Sequence, residues 1–565
     1  MLSKRSQTDY GQYTWLSLLP IVVLLAASLM LLHFLLPSAH DTLTESYEPT
    51  KTLRFFYTYG RQVHKWGPMP AFVYAPIYAA LLTFYRITGH LGQVSSRYPF
   101  GLDDPARALG RMIFSARLIT LLGAVSGTYY LTRTLQRRLK SAAAPVLAVL
   151  LSLSTSVVFL QPLTDSKPDG LMIAFLLFAL ANYAAIVLDG WTRARAIGLA
   201  FFFVASISCK ELTSVTFAVP YLALMALSIA RIRHDPVEGK RELRLAAASC
   251  LLALLFYLVI NVLYAPHSWW ARMTFVFGPL KDPSIWAAAN QTRGGYLLQS
   301  LLAIQAGLGW SGLLLLVIAL AGTAAQPSLR LLLLWLPFLS HLVFTVATAG
   351  YMPAYFMLPL GPALCLPASL VLSRLIERWE IGERPLAAAT VALTLGCAWI
   401  AFCSTGLFRF THVNSMLQSA FDQKIPPGTT VNIVGLLHAD LEFPATLPRG
   451  VSIDPRPLSE IMSAPPGDRP DYLLVPTDLR TWAKEIRYRP ARAAMLKKQT
   501  GFDYSSFTGF EPLGYSLVET VGPRLPAWCR PSMVAGSGEY VEKRLLIYRL
   551  RLDGSRKTAI AQAGP

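Results

Sequence analysis

Apolar residues run along this chain in blocks that are too long for strands and almost free of charge. A run of roughly 20 such residues, wound as a helix, spans about 30 Å of hydrocarbon. Such blocks fall at 14–37, 112–132, 144–162, 170–188, 213–230, 245–264, 297–322, 330–348, 354–373 and 386–406, with a shorter one at 196–209. The pattern predicts about eleven transmembrane helices. The short block, AIGLAFFFVASISC, is expected to tilt or to pair closely with its neighbour. A further stretch, GPMPAFVYAPIYAALLTFYRITG, is apolar too, but Pro68, Pro70 and Pro76 interrupt it and aromatic residues crowd it. Counting it as a crossing would turn every later connector to the other face. It reads as a helix lying in the membrane interface, where Tyr and Phe sit well.

Beyond residue 406 the pattern changes. IPPGTTVNIVG reads as a turn and a strand, PDYLLVPTDL as a buried strand with its turn, and KRLLIYRLRL as an alternating terminal strand. The expected fold is a polytopic α-helical membrane protein, residues 1–406, with a small mixed α/β domain outside the membrane, residues 407–565. The first outer loop, 38–111, carries interfacial helices.

Composition agrees with this division. The 565 residues are 53% hydrophobic and 15% charged, against about 25% charged in soluble domains, and the mean hydropathy is +0.43. The net charge of +19 would suggest nucleic acid in a soluble protein, but no nucleic-acid motif is present. Lys and Arg instead gather in short connectors: RTLQRRLK, WTRARA, RIRHDPVEGKRELR and SRLIERWEIGERP. With alternating helices these share one face with the N-terminal SKR, which the positive-inside rule makes cytoplasmic. The opposite face holds the long loops and the tail. In a bacterial cell, which the compact loops suggest, that face is the periplasmic side of the inner membrane. The first block follows MLSKR but is longer than a signal-peptide core, so it reads as a retained helix. Six cysteines are present, mostly in apolar runs, and no CxxC occurs. They form neither a disulfide framework nor a zinc spacing.

The polar residues of interest lie on the outer face. Asp41, Glu45 and Glu48 follow the first block at once. They are either solvated loop acids or a general base at the membrane surface, with Asp41 the first candidate and Glu45 the second. QPLTDSKPDG brings Asp165, Lys167 and Asp169 to the next outer end. Pro168 looks like a helix start, and an acid near it is favourable whether or not it acts chemically. CKELTS places Lys210 and Glu211 in a tight turn between apolar runs, where a charge pair is costly unless paired or used. Lys210 is suited to a phosphate. YAPHSWWARMTFVFGPLKD mixes aromatics with His267, Arg272 and Lys281 and suits an interfacial helix, either an anchor or a lid over a lipid-borne substrate. His64 and Lys65 in HKWGPMP are expected to be able to meet the acids of the same loop. LDDP reads as a turn. No Walker, HExxH, GxSxG or DxD pattern occurs. A divalent metal is compatible with the outer acids, but no clear ligand set supports one.

The order of these pieces resembles the GT-C glycosyltransferases, the broad group of dolichyl-phosphate-mannose–protein mannosyltransferases and bacterial aminoarabinose transferases. The resemblance covers roughly residues 10–406. It rests on the acid-bearing outer loop, KWGPMPAFVY, ARLITLLGAVSGTYYLTRTL, TDSKPDGLMIAFLLFAL, CKELTSVTFAVPYLALMAL and YFMLPLGPALCLPASL. It implies that Asp41 stands at the family's loop acid, with Thr42 replacing a second acid and Glu45 left as substitute. It implies further that Asp169, with Asp165 nearby, matches the next outer acid and that Lys210 matches the hairpin lysine. Many members carry Arg-Tyr before a late LLP. Here Ala354 stands in the arginine's place and Tyr355 keeps the tyrosine, so either another cation such as Arg272 meets the phosphate or the donor differs.

The resemblance therefore implies an enzyme that moves a sugar from a polyprenyl-phosphate donor to a lipid, polysaccharide or protein acceptor. Asp41, Glu45 and Asp169 would be its catalytic candidates. Lys210, Arg272 and Tyr355 would meet the donor phosphate, and His64, Lys65, Asp165 and Glu211 would meet substrate. Membrane lipid is a partner and nucleic acid is not. The competing readings are a transporter or flippase for lipid-linked sugars, which calls for polar residues spread through the helix interiors, and a catalytically dead scaffold that binds partners through its outer domain.

Overall fold

A computed structural model describes residues 13–31, 47–59, 67–96, 100–153, 168–277, 293–348 and 354–411. In the tail it describes 423–434, 450–454, 458–476, 509–521 and 545–551, with a few single positions besides. A short 3-10 turn, Thr14–Leu18, leads into α1 (Leu19–Leu31). Then come α2 (Tyr47–Tyr57), α3 (Met69–Ile87), α4 (Pro105–Gln136), α5 (Ala143–Leu153), α6 (Pro168–Asp189), α7 (Arg193–Ile207) and α8 (Ser214–Ile232). The helices α9 (Pro236–Tyr257), α10 (Pro266–Phe277), α11 (Arg293–Ala325), α12 (Leu329–Thr348), α13 (Leu360–Arg378) and α14 (Glu383–Thr411) follow.

Eight of the described helices are long and apolar enough to cross a membrane. They are α4, α6, α8, α9 with its π-helical extension Leu258–Leu263, α11, α12, α13 and α14. The Thr14–Ser28 segment and α5 are apolar but shorter, and α7 has only 15 residues. Every apolar block of the sequence has a helix, but several helices outrun their blocks. In α4 the helix starts at Pro105, because Asp104 caps it by accepting from the Arg107 amide at 3.0 Å. LDDP is therefore a helix start and not a free turn. Asp235 does the same for α9, accepting from the Glu238 amide at 3.1 Å. The last-but-one block opens differently from expectation: Ala354–Met357 is a 3-10 turn, and the helix begins at Leu360.

The centre of the bundle is α6, whose side chains are buried nearly all round. A helix apolar on every face is one wrapped by others, and α4, α7, α12 and α13 pack on it. One end of the bundle gathers the basic connectors. Asp189 receives both Arg138 at 2.6 Å and Arg195 at 2.9 Å. Lys140 reaches Glu377 at 2.8 Å, Arg231 reaches Glu242 at 2.8 Å, and Arg374 donates to the Gln326 carbonyl and the Ser328 hydroxyl. Arg241 donates to the Trp191 carbonyl at 3.4 Å, so the four connectors share one end of the bundle.

The tail forms a five-stranded mixed sheet in the order β2-β1-β3-β5-β4, from β1 (Thr429–Ile433), β2 (Val451–Ile453), β3 (Tyr472–Pro476), β4 (Tyr515–Val521) and β5 (Leu545–Leu550). A single-turn helix, α15 (Leu458–Ser463), lies between β2 and β3. The pairs β1–β2 and β1–β3 are parallel, while β5 runs antiparallel to β3 and β4. KRLLIYRLRL is an interior strand, so Leu545–Tyr548 are all buried instead of alternating.

Candidate functional site

At the bundle end opposite the basic connectors, four charged residues from three chain segments come together. Asp169 lies in the first turn of α6, where its negative charge suits the positive helix end. The Lys210 ammonium donates to its carboxylate at 2.5 Å. Lys210 follows α7 in the turn to the 3-10 segment Glu211–Thr213 and is only 4% exposed. Its neighbour Glu211 accepts from Arg272 Nε of α10 at 2.9 Å. The two carboxylates and two cations balance, so the cluster is neutral as it stands. Burial pushes the Glu211 carboxyl up, and the Arg272 charge pulls against that.

Arg272 holds the feature that sets this cluster apart from an ordinary ion-pair network. It is 3% exposed, yet among the described residues its two terminal nitrogens have no hydrogen-bond partner. A buried guanidinium whose fork meets no acceptor among the described residues suits an anion that can accept through two oxygens, as a carboxylate or a phosphate does.

Close backbone packing holds the turn. The Met69 amide at the start of α3 donates to the Ser208 carbonyl at 3.0 Å. Gly67 lies so near that a Cβ there would meet Ser208 O at 2.0 Å and Ser208 C at 2.5 Å. From the π-helical stretch, Asn261 Nδ2 donates to the Ser208 hydroxyl at 2.6 Å. Such single-turn π segments recur where a helix must re-aim a side chain. Ser206 donates to the Met172 carbonyl at 3.0 Å, tying the end of α7 to α6. Trp269 Nε1 donates to the Tyr257 hydroxyl at 3.1 Å. Phe72 and Tyr264 pack edge to face with centroids 4.8 Å apart, and Phe55 lies 5.4 Å from Tyr264, so α2 and α3 join the approach to α10 through aromatic contact.

Asp169, Lys210, Glu211 and Arg272 are thus brought together. Asp41, Glu45, His64, Lys65 and Asp165 lie outside the described residues. Tyr355 belongs to the turn Ala354–Met357, and the ring of its neighbour Phe356 lies 5.9 Å from Lys210 Nζ, within cation–π range. Sequence reading passed over Gly67, Ser208, Asn261, Phe356 and His341. Asn261 and His341 carried a usable signal, since each is a polar group inside an apolar block. Among the described residues no three His, Cys, Asp or Glu side chains gather as a metal site.

No family model matches this chain, and no curated protein matches it. Among solved structures it is similar to ArnT from Cupriavidus metallidurans bound to undecaprenyl phosphate. The two share 14% identity at a TM-score of 0.46, over 96% of this chain and 98% of that one. It is also similar to the Archaeoglobus fulgidus oligosaccharyltransferase in complex with zinc and sulfate, at 10% identity and a TM-score of 0.41, over 83% and 70%. Both scores lie below 0.5, so function has to be argued from this chain's own side chains.

Proposed function

We propose that this protein is a membrane glycosyltransferase of the GT-C type, moving a sugar from a polyprenyl-phosphate donor to an acceptor on the outer, periplasmic side. The observation that carries this reading is the buried Arg272, whose fork has no partner among the described residues and whose ion-pair partner Glu211 is the chain neighbour of Lys210. It lies at the bundle end away from the basic connectors. Residues 1–406 form the transmembrane part, with loop 38–111 over its outer end, and 407–565 form an outer domain.

In the proposed reaction an acceptor hydroxyl or amine attacks the anomeric carbon. A carboxylate, Asp41 or failing it Glu45, takes the proton. The bond from the anomeric carbon to the phosphate oxygen breaks, and the polyprenyl phosphate leaves with that electron pair. Arg272 and Lys210 hold the charge that develops on it, and Tyr355, next in the chain to the Phe356 that faces Lys210, is the third candidate for that phosphate. Asp169 keeps Lys210 in place through its ion pair. A single displacement inverts the anomeric centre. Arg272 thereby fills the role left open at Ala354. The charged groups of the cluster sit at one end of the bundle and not through its length, which favours this reading over a transporter.

The test is transfer from radiolabelled polyprenyl-phosphate sugars in membranes carrying the wild type, Asp41→Asn or Arg272→Gln. Transfer by the wild type is expected, with each variant slower by about a hundredfold or more. Equal transfer by Asp41→Asn would move the base to Glu45 or Asp169. Sugar lipid crossing the bilayer without transfer to any acceptor would make the protein a transporter.

A further inference from the structure

The 3-10 turn Ala354–Met357 is held from two sides. On one side is Gly307 of α11, where a Cβ would meet Met357 Cβ at 2.6 Å and Met357 O at 3.1 Å. Two residues on, Gly309 breaks the helix with φ 68° and ψ 174°, a conformation open to glycine alone. On the other side is His341 of α12, fully buried in the middle of an apolar helix. Its Nε2 lies 2.8 Å from the Phe356 carbonyl. A carbonyl oxygen only accepts, so Nε2 carries the hydrogen. In the neutral ring Nδ1 then accepts, and the Thr216 hydroxyl, 3.0 Å away, donates to it. Beside this pair the Ser340 hydroxyl donates to the Val215 carbonyl.

Both ends of the imidazole thus reach the candidate site by one short step. Phe356 presents its ring to Lys210. Thr216 lies in the first turn of α8, directly after the Lys210–Glu211 turn. A polar ring at this depth is costly unless it is used, and here both nitrogens are used on elements that carry the site.

We propose that His341 is a positioning residue for the site: through the Phe356 carbonyl it fixes the aromatic face against the Lys210 ammonium, and through Thr216 it fixes the turn that bears Lys210 and Glu211. In the reaction this rests on reading the site as the donor-phosphate site. Loosening the 354–357 turn weakens the hold on the lipid phosphate before it touches the chemical step, so the effect falls on KM for the donor and not on kcat.

Two variants and a second readout test this. His341→Leu removes both hydrogen bonds, while His341→Gln keeps an amide donor within reach of the Phe356 carbonyl. In proteoliposomes supplied with a long-chain polyprenyl-phosphate sugar, His341→Leu should raise the donor KM by up to about tenfold, the order of one lost hydrogen bond that holds the site in its binding form. His341→Gln should restore most of it. Thr216→Val should move KM the same way by less, which serves if His341→Leu does not fold. Unchanged KM in a folded His341→Leu protein, or equal damage from Leu and Gln, would overturn the proposal.

Thermal unfolding of the purified protein separates this from the catalytic reading. A double-mutant cycle between His341→Leu and Lys210→Met should be non-additive, whatever the protein transfers. Additive shifts would sink the link between the two residues. A non-additive cycle in a wild type that transfers no sugar would sustain the link and overturn glycosyl transfer instead.

Discussion

Replacing Arg272 by Met separates the pairing role of this residue from its proposed phosphate role. The guanidinium and the Glu211 carboxylate are nearly out of solvent, at 2% and 12% side-chain exposure. Removing one partner of a buried ion pair costs about 3–5 kcal/mol, because the other charge is stranded. The Lys210 charge beside Glu211 softens this, so the lower end, about 3 kcal/mol, is expected for Arg272→Met. Glu211→Gln leaves Arg272 Nε an oxygen to donate to and should cost less. The double variant removes both charges and strands neither, so it should recover most of that loss. The four proteins are compared by equilibrium unfolding in detergent, each with and without a polyprenyl monophosphate. Stabilisation by that lipid should vanish in both proteins that lack Arg272, including the double variant with recovered stability. Wild-type stability in Arg272→Met would refute the buried pair. Full stabilisation of the double variant by the lipid would refute Arg272 as the phosphate anchor.

Two further outcomes rest on particular contacts. Gly67→Ala drives a methyl into the Ser208 backbone, which cannot swing aside as a side chain would. A loss of about 1–3 kcal/mol and reduced transfer are expected, whereas Gly396→Ala, with nothing within 4 Å of its added methyl, should be neutral or slightly stabilising in the same unfolding and transfer measurements. In the tail sheet, burial alone would raise the Asp454 carboxyl, but the hydrogen bonds from Arg456 outweigh it and hold it below its ordinary value. A carboxyl lowered in the folded state contributes stability above its unfolded pKa of about 3.9 and loses it as pH falls through the folded value. Protection of the β1–β2 amides against hydrogen exchange, taken relative to an unstructured peptide at the same pH, should therefore fall in the wild type below about pH 4, and Asp454→Asn should flatten that dependence.

The positions of the helices were legible because hydrocarbon imposes a length and forbids unpaired backbone groups, and both constraints act on local sequence. Three of the five strands were legible for a similar reason, since their apolar runs and bounding turns are local too. Helix ends were less so: polar first turns such as Pro105–Arg111 lie outside any apolar window, yet Asp104 makes them helical. The basic connectors do share one end: the ion pairs at Asp189 and Glu377 join three of them, and Arg241, donating to the Trp191 carbonyl, brings in the fourth.

The candidate site divides along the same line. Asp169, Lys210, Glu211 and Arg272 stood out by themselves, because charges beside apolar runs are costly without a use. Their partners did not. Asp169 meets Lys210 across 41 residues, Glu211 meets Arg272 across 61, and Thr216 meets His341 across 125. The Arg272 fork that finds no partner among the described residues and the two-sided use of His341 exist only once helices have packed. Between helices in lipid no hydrophobic force selects a partner, so close van der Waals fit decides it. At Gly67 and Gly307 that fit depends on the absence of a side chain, which no periodic pattern along the chain records. By itself the sequence determined which segments are helices, which end of the bundle is basic and which charges need a use. Tertiary packing alone decided how those charges are paired and which of them is left with hydrogen bonds to offer.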